Sequence, residues 1–387
     1  MSARRTGQAF ALAFALAQGA LAGRVFLRMA RSAGGNRVRR VEPDGATEGP
    51  VSLLIPVLNE IDRLASCLEG AIAQDSAITE ILVVDGGSTD GTQRLVERFA
   101  TQDPRIRLID AAPVPAGING KAFGLETGLR RSDSRSRWVL TLDADVTPHP
   151  DLARSLVAHA GNEGVCALSI ATRQRLSGAA EGPLHPAMLT TLVYRFGIPG
   201  HATDRLADVQ ANGQCMLIDR EALDAVGGFE TVLSSINEDV TLARAIAASG
   251  RPVGFYESDD LVSVQMYAGW RDAWRNWTRS LPMRDRYVGR QSDLGLAEIL
   301  CVQALPPWIA VAAWRFLGQR HPLTLLNLGL SLARIGVLQG TARAYSHRPW
   351  TYWLSPLADV PVALKLIVMS RQRRHHWRGR TIMTGGT

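Results

Sequence analysis

The residues WVLTLDADV, at positions 138–146, place the strongest constraint on how this chain of 387 residues can fold. The first five favour a buried β-strand, and Pro148 prevents the sheet from continuing far beyond them. Asp143 and Asp145 therefore lie at the C-terminal edge of the strand, and they share a face because side chains alternate. Two carboxylates so close together repel each other unless a cation or a proton separates them. The pair predicts a site for a hard divalent ion, although the same pattern also occurs in turns that cap a helix.

The pattern from Val51 onward alternates strands with helices. VSLLIPVLNE at 51–60 and ILVVDGGSTDGT at 81–92 each predict a strand that ends in polar or glycine-rich residues, with helical spacing between them. This alternation predicts an α/β fold with a mainly parallel sheet flanked by helices. The glycine-rich turn lacks a Gly-Lys-Ser/Thr ending, so it is not a Walker loop. Its glycines instead let a ligand approach the backbone.

Apolar residues concentrate near both ends of the chain. Hydrophobic residues make up 46% of the sequence at a mean hydropathy of zero, so the middle is comparatively polar. Residues 8–23 form an apolar helical stretch followed directly by a basic run, which favours a retained anchor or interfacial helix over a cleaved signal peptide. Three more apolar stretches of near-spanning length follow at about 294–318, 322–340 and 351–370.

Many of the arginines behind the net charge of +7 lie beside these apolar stretches. This arrangement matches anionic lipid headgroups and the positive-inside bias of membrane proteins, so we expect a membrane partner and no nucleic acid. The four cysteines lie in separate segments without the spacing of a metal site. They are expected to be reduced packing residues of a cytosolic domain.

Three motifs in a fixed order carry a resemblance to a known family. They are Pro-x-x-Asn-Glu at 56–60, Val-Asp-Gly-Gly-Ser-Thr-Asp-Gly-Thr at 84–92 and Leu-Asp-Ala-Asp at 142–145. Together they resemble the inverting family 2 glycosyltransferases, whose nucleotide-sugar-binding α/β fold is called GT-A. The resemblance covers about residues 51–285. It implies a metal-dependent enzyme that takes a sugar from a UDP-sugar in a single inverting displacement.

The resemblance also implies roles for individual residues. The nucleotide-sugar pocket is implied to contain Pro56, Asn59, Glu60, Asp85, Lys121 and Asp143. Asp85 is expected to face the uracil, although Gly86 stands where many members have a second acid. Lys121 opens a helix of small residues, where its charge and the helix dipole can both meet a phosphate. Asp145 is expected to hold Mg²⁺ or Mn²⁺, with Asp143 steadying the metal or the ribose.

A second acidic pair opens the predicted helix in SINEDVTLARAIAASG, at 235–250. Acids at this position are favoured by the helix dipole alone, and Asn237 can serve as the cap. The preceding Gly-Gly-Phe makes the pair similar to the catalytic acids of the family. By that resemblance Asp239 is the general base, with Glu238 beside it.

The stretch VQMYAGWRDAWRNWTRS, at 264–280, predicts a helix with a tryptophan face and an arginine face. An interfacial helix and a substrate site both suit this pattern. Its residues do not reproduce the Gln-x-x-Arg-Trp motif of processive polysaccharide synthases, which reduces support for a polymer product. They look more like membrane-associated members that glycosylate carotenoids or accompany hopanoid synthesis. Gln265 and Trp270 are expected to border the acceptor pocket.

These features predict five regions along the chain. They are an N-terminal membrane anchor or interfacial helix (1–30), a basic linker (31–50), the GT-A catalytic domain (51–285), C-terminal membrane-associated helices (286–372) and a basic tail (373–387). Three crossings after a cytosolic domain would leave the basic tail outside the cell. We therefore expect two full crossings plus a re-entrant or interfacial piece, placed at Pro306 and Pro307.

The sequence as a whole predicts a multi-pass protein of the cell membrane with a cytoplasmic catalytic domain. Its expected activity is inverting sugar transfer from a UDP-sugar to a lipophilic acceptor at the cytosolic face. A polyprenyl-phosphate or polysaccharide glycosyltransferase is the enzyme alternative. A catalytically inactive nucleotide-binding scaffold and a nucleotidyltransferase of related fold also stay open.

Overall fold

The structure is a computed structural model that describes residues 2–42, 49–258, 260–267, 269–372, 374–377 and 380–383. The middle of the predicted linker (43–48) and much of the predicted basic tail (373–387) lie outside the described residues.

The strands form a nine-stranded sheet, a four-stranded sheet and a two-stranded ribbon. In chain order they are β1 (Arg37–Val38), β2 (Val51–Val57), β3 (Ile78–Asp85), β4 (Ile106–Asp110), β5 (Trp138–Leu142), β6 (Val146–Pro148), β7 (Ala167–Ala171), β8 (Arg173–Arg175), β9 (His201–Thr203), β10 (Cys215–Asp219), β11 (Val253–Ser258), β12 (Val262–Val264), β13 (Tyr345–His347), β14 (Arg374–Trp377) and β15 (Arg380–Met383).

The α-helices cover both faces of the large sheet and dominate both ends of the chain. They are α1 (Ser2–Ser32), α2 (Leu64–Ile72), α3 (Thr92–Ala100), α4 (Gly120–Arg131), α5 (Leu152–Glu163), α6 (Leu184–Phe196), α7 (Arg220–Ala225), α8 (Glu238–Ala248), α9 (Trp270–Ser280), α10 (Gly289–Glu298), α11 (Pro306–Leu317), α12 (Pro322–Thr341) and α13 (Asp359–Arg371). A π-helical turn, Ile299–Ala304, separates α10 from α11, and a 3₁₀ helix, Trp350–Ala358, leads into α13.

The large sheet has the strand order β1-β11-β7-β10-β5-β2-β3-β4, with β9 added beside β11. All of its neighbours along that order are parallel except β10, which is antiparallel to both β5 and β7. The predicted α/β fold with a mainly parallel sheet is therefore confirmed. Two short strands outside 51–285 join the sheets, because β1 pairs with β11 and β13 pairs with β8.

The central strands are apolar runs because helices bury both of their faces. Every residue of β5 is buried, and α2, α3 and α5 pack on one side of the sheet while α4, α7 and α8 pack on the other. Close packing of α4 requires Gly128, where a Cβ atom would lie 2.8 Å from Cγ2 of Val84. This layering leaves the C-terminal ends of β2 and β5 as the open edge of the domain.

Four segments near the ends of the chain carry outward-facing apolar side chains. Thr6–Ser32, Pro322–Ala344 and Trp350–Arg371 are long and apolar enough to cross a membrane, and Ser292–Ala304 with Pro306–Leu317 forms a pair bent by 59° that could count as a fourth. These three or four candidates, judged by length and composition among the described residues, indicate membrane association.

Candidate active site

A cavity of about 530 Å³ opens at the C-terminal ends of β2 and β5, between α4, α8 and α9. Its wall contains a set of residues that the sequence predicted for the site, namely Pro56, Glu60, Lys121, Asp143, Asp145, Glu238 and Asp239. The cavity therefore gathers segments that are separated by up to 224 residues along the chain, from Pro56 to Ser280. Its volume lies within the usual range for small-molecule sites.

The acidic pair follows β5 directly. The Asp143 backbone N–H donates to the Gln214 carbonyl oxygen at 3.1 Å, which fixes the turn, and Asp145 lines the cavity. Arg63 lies 3.7 Å from Oδ2 of Asp145, while Oδ1 is buried without a hydrogen-bond partner among the described residues. Burial and the neighbouring charge of Asp143 raise the pKa of Asp145 to about 7.

This environment fits a divalent cation. A buried carboxylate oxygen without a partner carries an unfavourable desolvation cost that a cation would remove. The described residues contain no group of three or more His, Cys, Asp or Glu side chains suited to a metal. Two carboxylates suit Mg²⁺ or Mn²⁺ when the substrate phosphates supply further oxygen ligands.

Lys121 connects the acidic pair to the second pair of acids. Its Nζ lies 2.6 Å from Oδ1 of Asp143 and 3.0 Å from Oε1 of Glu238. Asn119 caps α4 by accepting from the Lys121 backbone N–H at 2.9 Å, so the lysine is held in the first turn of the helix. Burial works to lower the pKa of Lys121, but the surrounding carboxylates outweigh it and raise the pKa above its ordinary value.

The carboxylate of Asp239 is held by two backbone N–H groups. Gly213 donates to Oδ2 at 2.7 Å, and Val240 donates to Oδ1 at 2.8 Å. Glu238 is oriented by Asn119, whose Nδ2 donates to its Oε2 at 2.9 Å. Asn237 occupies the cap position of α8, but its side chain makes no capping hydrogen bond. Burial and the adjacent charge of Glu238 raise the pKa of Asp239 to about 6.

Asn59 and Asp85 shape the turns next to the cavity. Asp85 is fully buried and accepts from the Ser88 backbone N–H at 3.0 Å and from Nε2 of Gln93 at 2.6 Å. Oδ1 of Asn59 accepts from the Thr89 backbone N–H at 2.8 Å. Neither side chain belongs to the described cavity wall. A contact of Asp85 with a base stays a prediction, and it requires the buried carboxylate to become accessible.

The predicted acceptor residues lie outside this wall, and their neighbours form it instead. Gln265 is exposed and Trp270 is 43% exposed, whereas the adjacent Tyr267 lines the cavity. Helix α9 presents its polar side to the cavity, through Asp272, Arg275, Asn276, Arg279 and Ser280. The sequence analysis missed these residues, although their three- and four-residue spacing was a signal that they share one face of a helix.

Comparisons with known proteins identify the family that the sequence resembles. Residues 52–227 match the model of the family described as Glycosyl transferase family 2. Succinoglycan biosynthesis protein ExoA from Rhizobium meliloti is 24% identical over 336 residues, covering 80% of this chain and 96% of that relative. The 4,4'-diaponeurosporenoate glycosyltransferase of Staphylococcus aureus is 25% identical over 237 residues, covering 60% of each chain.

A solved structure extends the likeness to nearly the whole fold. The mannosyltransferase PcManGT from Pyrobaculum calidifontis, in complex with GDP-Man and Mn²⁺, covers 94% of this chain and 98% of its own, at 21% identity and a TM-score of 0.57. That enzyme binds Mn²⁺ together with a nucleotide sugar. The motif order, the sheet and the family match lead to one identification: residues 52–227 of this chain belong to glycosyltransferase family 2, and the chain has the GT-A fold.

Proposed function

We propose that this enzyme transfers a sugar from a UDP-sugar to a lipophilic acceptor at the cytosolic face of the cell membrane, with inversion at the anomeric carbon. The observation that carries the proposal is the line of charges through one cavity, from Asp145 and Asp143 across Lys121 to Glu238 and Asp239. In this proposal the end with Asp145 and Asp143 holds the diphosphate of the donor, and Asp239 at the other end acts as the general base.

The donor end of the cavity suits a nucleoside diphosphate. Lys121 can exchange its carboxylate partners for a phosphate oxygen, aided by the positive N-terminal end of α4. Asp145 and Asp143 are the residues that would hold Mg²⁺ or Mn²⁺, which when bound neutralises charge on the leaving diphosphate. Pro56, near the end of β2, and Glu60, in the turn after it, complete this end.

Asp239 is the proposed general base. A carboxylate whose two oxygens are fixed by backbone N–H groups is oriented in advance, so it can take the proton of an acceptor hydroxyl as that oxygen attacks the sugar. One displacement of this kind inverts the anomer and needs no covalent intermediate. Glu238 supports the base by balancing Lys121.

The acceptor side supports a lipophilic acceptor. Helix α9 lines the cavity with one face and packs with other faces against α6 and α13, which belong to the same apolar cluster as α1. A carotenoid acceptor is plausible because the Staphylococcus aureus relative is named as a diaponeurosporenoate glycosyltransferase. We propose a multi-pass membrane protein whose catalytic domain (51–285) lies in the cytoplasm, with the membrane as its partner and no nucleic acid.

A second candidate is favoured by the similarity to the succinoglycan biosynthesis protein, which covers nearly all of that relative. In this case the product is a growing saccharide on a polyprenyl carrier. Product mass and acceptor chain-length dependence distinguish it from a single glycosylated lipid. An inactive scaffold would bind the nucleotide sugar without releasing UDP from it.

The proposal is tested by measuring nucleotide release from detergent-purified protein across a panel of UDP- and GDP-sugars. Mn²⁺ or Mg²⁺ and bacterial lipid extract are each added or omitted. We expect UDP release that requires the metal, rises with lipid and is lost in Asp145→Ala. Asp110→Ala is the matched control, because Asp110 ends strand β4 of the same sheet, with β2 and β3 between it and β5, and is exposed. Release of GDP in place of UDP, or of pyrophosphate, would contradict the proposed donor.

A further inference from the structure

The segment Trp350–Arg371 is long enough, at 22 residues, and apolar enough to cross a membrane. Both of its ends, however, contact residues of the predicted catalytic domain (51–285). At the start, Oγ1 of Thr351 donates to the Ala179 carbonyl oxygen at 2.6 Å. At the end, Nη1 of Arg284 donates to the Ser370 carbonyl oxygen at 2.9 Å. Ala179 and Arg284 both lie within 51–285.

The chain has already returned to the catalytic domain before this segment begins. After α12, strand β13 pairs with β8 through Tyr345 and Gln174. The segment then runs beside α6, contacting it through both the 3₁₀ helix and α13. The end of α6 approaches the same region as Arg284, because Nη2 of Arg195 donates to the Leu281 carbonyl oxygen at 2.7 Å. A segment tied to one domain at both ends cannot pass through a hydrocarbon layer about 30 Å thick.

The outward face of the segment is nevertheless apolar. Its exposed apolar side chains recur every three or four residues along one stripe, namely Trp350, Trp353, Leu357, Pro361, Leu364 and Val368. The inward face carries polar groups, including Asp359, whose Oδ2 accepts from Nε of the buried Arg334 at 2.8 Å. This distribution reverses the usual pattern of a surface helix in water. Lipid is the environment that stabilises an apolar outer stripe next to the outward-facing leucines of α12.

We propose that Trp350–Arg371 lies in the plane of the membrane interface as a docking surface for the lipid bilayer, with both of its ends on the catalytic side. The chain after Arg371 then lies on that same side, where the positive-inside bias favours its arginines. In this proposal the interfacial piece is Trp350–Arg371, in place of the segment that the sequence predicted at Pro306 and Pro307.

This placement brings the acceptor side of the active site to the membrane surface. Helix α13 contacts α9, with Nζ of Lys365 located 5.9 Å from the ring centroid of Trp274. The opposite face of α9 lines the cavity. An acceptor held in the outermost part of the bilayer therefore reaches the cavity beside α9. The inference deepens the proposed function and rests on its cytoplasmic placement of the catalytic domain.

Cysteine accessibility in the full chain tests the inference. Ser134→Cys reports the catalytic domain, Ser346→Cys the start of the segment and Thr384→Cys the chain beyond it, each compared with the unaltered protein in intact and permeabilised cells using a membrane-impermeant maleimide. We expect none of the three introduced cysteines to be labelled in intact cells and all three to be labelled in permeabilised cells. Labelling of Thr384→Cys alone in intact cells would overturn the inference. Labelling of all three would overturn only the cytoplasmic placement.

Depth measurements provide a second readout. Spin labels at Leu354, Leu357, Leu364 and Val368 are expected to lie at one shallow depth in vesicles of phosphatidylethanolamine and phosphatidylglycerol. The matched series along α12, at Leu325, Leu328, Leu332 and Ile335, is expected to change depth steadily with position, and all eight side chains are exposed. A depth maximum in the middle of Trp350–Arg371 would show that it crosses the bilayer.

Discussion

Asp239 is the residue whose removal tests the mechanism most directly. Asp239→Asn keeps the shape of the side chain and an oxygen acceptor for only one of the Gly213 and Val240 N–H groups, and its amide cannot take a proton. We expect kcat to fall by about a hundredfold to ten-thousandfold, the usual contribution of a general base. Nucleotide binding, measured by calorimetry, should stay close to that of the unaltered protein. Full turnover in a folded Asp239→Asn protein would show that another group is the base.

The pH dependence of the reaction follows from the environment of the same residue. The groups that face Asp239 are Glu238 on its own helix and Lys121 from α4, and burial raises the pKa of Asp239 to about 6. A base works only when deprotonated, so kcat measured with saturating Mn²⁺ should fall as the pH decreases through about 6. Glu238→Gln removes a negative neighbour and should move this fall to lower pH. A shift to higher pH would contradict the assigned source of the raised pKa.

Gly213 is expected to be intolerant of even a methyl group. A Cβ atom there would lie 2.9 Å from Nζ of Lys121 and 3.1 Å from Oδ2 of Asp239, so both side chains would have to move. Gly213→Ala should reduce kcat at least about tenfold, because small displacements of catalytic groups are costly, with little change in melting temperature. Gly161→Ala on α5 is the control, since it lies outside the cavity wall and its added Cβ would meet nothing within 4 Å. Equal activity in both variants would contradict the tight geometry.

At the scale of elements, two helical glycines form a matched pair for stability. Gly70 on α2 faces Pro148 of β6, where a Cβ would lie 2.8 Å from Cδ of the proline ring and still closer to the backbone carbonyl oxygen. Gly70→Ala should lower the free energy of unfolding by about 1–3 kcal/mol, as overpacking does. Gly161→Ala on α5, which meets nothing within 4 Å, should raise it by about 0.5–1 kcal/mol. Denaturation of both variants checks the opposite signs.

The sequence predicted the elements whose local pattern differs between two faces or is uniformly apolar. It did not predict α6, because nine of its residues, including His185 and Arg195, are buried and leave no amphipathic period. It also could not predict the reversed direction of β10, since strand direction depends on the connection and not on the strand's own residues.

The same limit applies to the site. Asp143 and Asp145 directly follow a strand in the sequence, so their position at the C-terminal edge of the sheet could be predicted from the strand alone. Arg63, Tyr267 and Arg279 enter the cavity only through tertiary packing. The side chains of Arg63 and Tyr267 therefore carried no local signal of function, whereas Arg279 belonged to the arginine face predicted for α9. The tryptophans of α9 were a true signal of amphipathicity, but the polar side of the helix is the one that lines the cavity.

At the scale of the whole molecule, the exposed apolar side chains belong mainly to the two ends of the chain. Phe10 and Leu16 on α1, Trp314 on α11, Leu332 on α12 and Leu357 in the interfacial segment are each more than 60% exposed. Such surface is unstable in water, so the catalytic domain is expected to work where lipid covers these side chains. The acceptor would then reach the enzyme by lateral diffusion in the membrane, while the donor arrives from solution.

This division of roles predicts that the interfacial stripe affects acceptor use without affecting the donor. Leu357 and Leu364 are 71% and 53% exposed. Full burial of a leucine side chain in an apolar environment contributes about 1.5–3 kcal/mol. A carboxylate at either position opposes this burial in lipid. Leu357→Glu with Leu364→Glu should lower sugar transfer to vesicle-borne acceptor at least tenfold, whereas UDP affinity should be unchanged because neither residue lines the cavity. Leu357→Met with Leu364→Met is the control and should retain transfer. If the glutamate variant transferred sugar normally at the same vesicle concentration, the stripe would have no part in presenting the acceptor, and access would have to come from the crossing helices alone.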